Sequence, residues 1–519
     1  MNATLSASAN SSSSFDIYQL VGWVSSDTTR GSIDILWICC VIIILCCWVS
    51  TFPNVPSMND KWYHPLVDKA NLAFVGLLGP NFLFTIALGQ LSSARRSVRL
   101  FRTLPQRPLE WSLVHGFFAD MGGFHLASAD YSPFPVNAEQ LHYLIRYGHV
   151  DFPNLTKRDI KALSHTDGLS KLLILWQVLW FSVSELQRIR EGLPMTTFEL
   201  TALPFSLIML ITSLCWFPKP TISRPIILYT KDGRSIEHIR MAARNSTHPD
   251  LRSIWYRTPL DFISPYRRFR VDVHWSKYEQ LTYMVRVPLF SREIRARPWD
   301  RLPSAAWLVI DRTLFAPAFL VNTVFGVSPL AAWNFHFATH GERLAWRMCG
   351  IYHALFSISL GVYYIYVVLH PPQNTEAGKA PGTAGAAATT GNTSSSATLQ
   401  AGASPSEGQQ RQGGGKGQAF GVTASADVEA RLANSAEHVS LRRKRIIQAA
   451  VEWLDRWRNI SPDGDPDMEI GLRATFLPLA GTFLYIFCRM FFYVECFIAI
   501  RQQPVGVYKA MNKFLPFMN

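Results

Sequence analysis

The stretch HGFFADMGGF, residues 115–124, sets an acid and an imidazole among aromatic side chains. Asp120 and His115 are the residue types of a proton donor and acceptor, and an acid–base pair beside an apolar site is the chemistry they would support. A free-standing interfacial helix over 110–128 would scatter His115, Asp120 and His125 around its circumference, and Gly122-Gly123 would weaken it. The stretch therefore reads as membrane-associated and packed against other helices. Asp120 is expected in the protein interior, within reach of a donor from another helix, with Arg489 the first choice. The glycine pair would let a second backbone approach closely.

Other polar groups stand inside apolar runs. In NFHFATHGERLAWR, His336 and His340 lie four apart and would share a helical face, as metal ligands do. A membrane di-iron enzyme needs several such clusters and the chain has this one pair, so polar contacts at the end of a span compete with a metal. Arg489 and Glu495 lie six apart in the last apolar run; they face different ways and are expected to pair with other helices. Glu185 and Glu199 flank a GLP turn near Arg188 and Arg190, where a solvated loop is the plainer reading. Asn81 follows Gly79-Pro80, beside a carbonyl that the proline frees. No Asp-rich magnesium motif, phosphate-binding glycine loop, nucleophile elbow or paired redox cysteines appear, and no cofactor is called for.

The elements that would carry these residues are apolar helices. About seven spans are expected: Ile33–Val49, Ala70–Leu88, Leu172–Ser184, Leu200–Phe217, Thr313–Trp333, Cys349–Leu369 and Phe476–Ile500. Fold class is then all-α, a polytopic transmembrane bundle with small cytoplasmic helical insertions. The expected divisions are an N-terminal segment 1–32, two spans in 33–90, a helical insertion in 91–170, spans three and four in 171–218, and a basic cytoplasmic loop in 219–303. Spans five and six in 304–370, a linker in 371–438, an amphipathic helix in 439–460, and the last span with its tail in 473–519 complete the chain.

Charge orders the topology. Residues 219–303 hold 17 Lys and Arg against 8 Asp and Glu, Arg95, Arg96, Arg99 and Arg102 follow the second span, and Arg442 to Arg445 precede the last. An excess of basic residues marks the cytoplasmic side, which puts the N-terminus in the cytoplasm and the C-terminus in the lumen. That conflicts with glycosylation at the sequons of Asn2 and Asn10. No basic–aromatic motif of a nucleic-acid reader accompanies the charge, so nucleic acid is excluded as a partner. The eight cysteines lie in or beside apolar runs and read as small apolar fillers, and no cleavable signal peptide is expected. Between the second and third spans, Leu141, Leu144 and Ile145 stripe one short helix ended by Gly148, and Thr156 with Asp159 starts another. Residues 371–428 are a Gly/Ala/Ser/Thr linker, and RRKRIIQAAVEWLDRW after it is an interfacial helix with Ile446, Ile447, Ala450, Val451, Leu454 and Trp457 on one face.

The blocks GWVSSDTTRGSIDILW, WSLVHGFFADMGGF, GLPMTTFELTAL, AAWNFHFATHGERLAWR and CRMFFYVECFIAIR, in that order, resemble a large family of polytopic integral membrane proteins of filamentous fungi, itself functionally uncharacterised. The resemblance implies a fungal host and several spans. It departs at Asn81, where relatives commonly carry an acid. The leading expectation is an integral membrane protein, partnered by the lipid bilayer, that holds a lipophilic small molecule among its helices without transporting it. The alternatives are a membrane-embedded acid–base isomerase or cyclase of fungal specialised metabolism using Asp120 and His115, and a membrane scaffold.

Overall fold

The computed structural model describes residues 18–26, 30–105, 110–164, 168–249, 251–263, 270–284, 290–369, 442–454, 457–459 and 465–509. The sequons at Asn2 and Asn10 and the whole of the 371–438 linker lie outside them. The chain divides into two units, residues 1–372 with 458–519, and residues 373–457. In the second, residues 442–454 form helix α13, on which Ile446, Ile447, Val451 and Trp453 are exposed.

The larger unit is mostly helical. Five of its helical segments are long and apolar enough to cross a membrane: Ser32–Val49, Thr197–Cys215, Arg312–Asn334, His340–Tyr366 and Leu472–Arg501. They contain α1 (Ser32–Val49), α8 (Thr197–Cys215), α11 (Phe315–Val327), α12 (His340–Leu369) and α14 (Leu472–Ile498). α8 is central, touching α1, α11 and α14, and outward faces carry exposed Trp37, Ile44, Leu320, Leu355 and Phe487. Such apolar exposure along helices is what a lipid environment covers.

The expected span Ala70–Leu88 is not one helix. α2 (His64–Leu78) ends at Gly79, whose φ of −149° and ψ of 78° leave the helical region, and α3 (Pro80–Phe101) restarts with a proline that has no N–H to continue the ladder. α2 begins where Arg292 bridges Asp60 and Asp68, and its last turn reaches α14, where the Tyr493 hydroxyl donates to Leu77 O at 2.7 Å. α3 starts beside Tyr485 of the same helix and runs back until Phe101 enters the core of a separate domain. The pair is a hairpin with both open ends at one end of the bundle. α7 (Gly168–Arg190) is longer than the 13-residue apolar stretch it was expected to be, and it joins the two ends of the bundle.

That domain contains the two short helices expected within 91–170, and a three-stranded α/β arrangement that was not expected ties them to 219–303. α4 (Leu113–Asp120) leads into β2 (Phe124–Ala127), which pairs antiparallel with β3 (Phe134–Val136) and parallel with β4 (Ile226–Tyr229). The turn between α4 and β2 needs its glycines. Gly122 has a φ of +84°, and a Cβ on Gly123 would stand 2.4 Å from Phe118 O. Gly123 O instead accepts the Ile226 amide at 2.7 Å, so the close backbone is a strand, not a membrane helix. α5 (Ala138–Arg146), α6 (Lys157–Ala162) and α9 (Ile236–Ser246) complete the domain around Phe118, Leu126, Val136 and Ile239. Thr156 and Asp159 form the capping box that starts α6. α10 (Arg270–Met284) reaches the bundle through Trp275 and through the Lys277 ammonium on Thr475.

The first and last described segments meet at the opposite end. β1 (Leu20–Val21) pairs antiparallel with β5 (Gln503–Pro504), and the Ser32 hydroxyl donates to Tyr508. The described segments nearest the two termini thus lie side by side, where opposite membrane faces had been expected, and the α2–α3 hairpin turns back within the bundle. Accessibility tags placed before Tyr18 and after Lys509 are expected to be labelled from the same membrane face, and a tag in 250–263 from the other. Labelling of the two termini from opposite faces would overturn this topology.

Four histidines are buried in the α/β domain, His115, His125, His142 and His149, and burial pushes each of them down, His125 to about 4. A histidine lowered on folding stabilises the fold above its unfolded value near 6.5, and that contribution is lost as pH falls toward the folded value. Between pH ~6.5 and pH 4 His125 alone withdraws up to about 3 kcal/mol. Hydrogen exchange is expected to show β2 and β4 opening more readily at pH 5 than at pH 7.5, once intrinsic rates are divided out, with α8 and α14 unchanged. Equal domain opening at both pH values would contradict it.

Candidate functional site

The residues singled out in sequence fall into four places. Asp120 and His115 lie in the α/β domain. His115 Nδ1 accepts the Ser112 amide at 3.2 Å, and its Nε2 meets Leu155 O at 2.9 Å, a pattern the neutral ring satisfies with one donor and one acceptor. Asp120 Oδ1 accepts the Ala138 amide at 3.0 Å, the first N–H of α5, so the acid sits at a helix N-terminus. Burial raises its carboxyl, while the Ala138 amide, the Ser93 hydroxyl and the Arg96 guanidinium oppose the rise. The expected partner Arg489 is replaced by Arg96 and a backbone amide, because α4 packs on α3 outside the apolar bundle. Both side chains are thus engaged by fixed groups of the domain, and no hydrogen bond joins them among the described residues.

His336 and His340 do not share a helix face. His336 lies in the segment before α12, His340 is its first residue, and Thr339 with Glu342 caps that start. Among the described residues no three His, Cys, Asp or Glu side chains come together as a metal would need.

At the end where β1 meets β5, Glu185 and Glu199 are 2% and 0% exposed, so the solvated loop is corrected to a buried cluster. Arg30 pairs with Glu199 and approaches Glu185 at 4.0 Å. The Glu199 Oε2 also accepts the Thr196 amide at 2.8 Å as the capping box of α8. Arg188 donates to Val507 O, Lys509 O and Pro194 O, which ties the last segment down. Glu495 belongs nearby with Arg501 and Glu342, which are paired to each other. This group reads as a clamp, since acids and guanidiniums stand together in it, although Glu185 Oε2, Glu495 Oε1 and Arg188 Nε have no hydrogen-bond partner among the described residues.

The fourth place is the tip of the α2–α3 hairpin. Arg489, 2% exposed, stands about midway along α14 with rings around its guanidinium: Tyr493 at 4.8 Å, Phe325 of α11 at 5.1 Å and Phe205 of α8 at 5.6 Å. Its neighbours one helical turn to either side hold both arms of the hairpin. The Tyr485 hydroxyl donates to Asn81 Oδ1 at 2.8 Å at the start of α3, and Tyr493 holds the last turn of α2. His353 of α12, 0% exposed, stacks on Tyr485 at 4.9 Å between ring centroids, and its Nδ1 meets Gly326 O at 3.0 Å. Among the described residues Arg489 Nε and Nη2, His353 Nε2 and Asn81 Nδ2 have no hydrogen-bond partner. Four unpaired polar atoms therefore lie around one helix break.

The energetics are uneven. Desolvated cation–π contacts contribute about 2 kcal/mol each, so three rings go far toward holding the charge. They do nothing for the N–H groups, each of which costs about 1–3 kcal/mol when buried without an acceptor. Among the described residues no carboxylate pairs with Arg489. The site was partly legible in sequence: Tyr485, Arg489 and Tyr493 are spaced by four, one stripe of a helix. His353 carries no such signal.

A second buried cation lies at the domain end. Lys219, 2% exposed, donates to Phe52 O at 2.7 Å, Asn54 Oδ1 at 2.9 Å and Gln90 Oε1 at 3.1 Å, and burial lowers its ammonium to about 7. All three donors are used, so it pins the ends of α1 and α8 to α3.

Comparison with known proteins bears on the family alone. No curated protein and no solved structure matches the chain. Residues 3–261 match a family described as being of unknown function, DUF8562, a stretch that takes in α1, the hairpin, α7, α8 and the three strands of the α/β domain and stops before α11, α12 and α14.

Proposed function

We propose that this chain is a multi-pass integral membrane protein whose bundle holds a lipophilic small molecule with an acidic end at the α2–α3 tip. In this reading α1, α7, α8, α11, α12 and α14 cross the bilayer, and α2–α3 enters from the side of the α/β domain and returns. The basic domain faces the cytoplasm. The observation that carries the reading is Arg489, a buried cation with spare donors and no carboxylate among the described residues. An anionic group at the tip would accept from Arg489 and Asn81 and would meet the N-terminus of α3, the arrangement by which broken membrane helices receive anionic ligands. The aromatic and aliphatic surroundings suit an apolar body. The Gly79-Pro80 break gives the tip a place to flex as a ligand enters.

The test uses the full chain in detergent with photoactivatable palmitic acid and its methyl ester as probes. The acid is expected to label peptides of α2–α3 or α14 roughly tenfold more than the ester, about the 1.4 kcal/mol of one charge-assisted contact. Arg489→Gln is expected to abolish that preference and Arg489→Lys to keep part of it. Equal labelling by acid and ester in the unaltered protein would sink the reading. Should Arg489→Gln fail to fold, Asn81→Leu, which leaves the charge in place, is expected to reduce the acid preference.

A further inference from the structure

A separate cleft of about 580 Å³ opens where α3 leaves the bundle for the α/β domain. Its walls include Arg95, Arg99 and Arg102 of α3, Leu113 at the start of α4, and Thr313 and Leu314 just before α11. The three arginines are four and three apart, so they share one face of α3. Arg99 is partly engaged, donating to Asp311 at 2.9 Å while 60% of its side chain stays exposed. Arg95 and Arg102 are exposed and have no ion-pair partner among the described residues. The cleft therefore carries more positive charge than its surroundings neutralise.

Its position decides what kind of anion fits. Thr313 and Leu314 open the segment 312–334, one of the five apolar enough to cross a membrane. Seven and eleven residues beyond Thr313, Leu320 is 63% exposed and Val324 58% exposed. A cationic wall at the water end of a span, continued by a bare apolar helix face, matches a molecule with a phosphate at one end and acyl chains at the other. Planar guanidinium groups bind phosphate oxygens in pairs, and a basic pocket at the cytoplasmic rim of a bundle is the setting in which anionic headgroups are held. The volume suits one headgroup and is too short for a strand of nucleic acid.

We propose that this cleft binds the headgroup of an anionic phospholipid, with Arg95 and Arg102 on its phosphate and the acyl chains along α11. Free phosphate shares the chemistry of the headgroup but has no use for the α11 face. The experiment reconstitutes the full chain in nanodiscs of phosphatidylcholine with or without phosphatidylserine, carrying a photoreactive residue at Thr313. Crosslinking to phosphatidylserine is expected to exceed crosslinking to phosphatidylcholine. The Arg95→Gln/Arg102→Gln protein is expected to lose that preference by about tenfold or more, since each basic residue near a charged leaflet contributes to the attraction. Arg99 is left in place to keep its contact with Asp311.

As a control, Arg443→Gln/Arg445→Gln removes the same charge from helix 442–454, and this protein is expected to retain the preference. Equal loss in both variants would show a general charge effect and overturn the assignment. So would competition by inorganic phosphate at the concentration of the lipid, which would assign the cleft to a soluble anion. If the double variant does not fold, Arg102→Gln alone is read in the same way, because its side chain is exposed and pairs with nothing among the described residues. The result does not depend on Arg489, so this cleft and the hairpin tip stand or fall separately.

Discussion

A helix cannot carry its hydrogen-bond ladder through Gly79-Pro80, and much of the architecture follows from that break. Pro80 has no N–H to give, and Gly79 leaves helical geometry, so the chain ends one helix inside the bundle and begins another. The freed backbone needs partners where water is absent, and α14 supplies one in Tyr493, which donates to Leu77 O, while Tyr485 holds the Asn81 side chain. Because the new helix runs back the way the first came, the chain does not cross at this point. The pairing of β1 with β5 at the far end is the consequence most easily seen. Arg489 lies between the two tyrosines on the same stripe, which is why the unmatched charge and the helix break occupy one place.

The α/β domain shows a different constraint. Its parallel strands β2 and β4 are separated in sequence by α7 and α8, so the sheet closes only if that pair of long helices leaves the domain and returns. The domain and bundle are in this way parts of one folding unit. Buried histidines keep the domain neutral inside and sensitive to acid, and Asp120 serves it as an anchor for the start of α5. The same acid looked like a catalyst when read among its neighbours in sequence. Its Oδ1 is held by the Ala138 amide, while its Oδ2 has no hydrogen-bond partner among the described residues.

Charge is handled differently at the two ends of the bundle. At the end where β1 meets β5, carboxylates and guanidiniums lie close together, with Arg30 on Glu199 and Arg501 on Glu342, although Glu185 Oε2, Glu495 Oε1 and Arg188 Nε have no hydrogen-bond partner among the described residues. At the domain end, Lys219 is buried on three neutral oxygens, and Arg95 and Arg102 face an open cleft. Matched charges hold parts of the chain together, whereas unmatched ones mark where something else can bind. By that criterion the hairpin tip and the arginine cleft stand out from the remaining polar clusters.

Much of the helical character was legible from local sequence, because apolar length and charge placement are local properties. The five long apolar segments, the break at Gly79-Pro80, the box at Thr156 and Asp159 and the basic character of 219–303 all follow from neighbouring residues. What escaped were relations between distant residues. The strands Phe124–Ala127, Phe134–Val136 and Ile226–Tyr229 are short and almost wholly apolar, so neither period two nor helical spacing marks them, and they become a sheet only when paired across about a hundred residues. Whether Gly79-Pro80 bends a crossing helix or turns it back depends on where the second arm finds a core, and Phe101 finds one in the α/β domain. The partners of Asp120, Glu185 and Arg489 were likewise set by packing, since a charge in an apolar run announces that it must be satisfied but not by what. The sequence determined which segments are apolar and where the helix breaks; the tertiary structure decided which charges met a partner and which did not, because matching depends on distances in space.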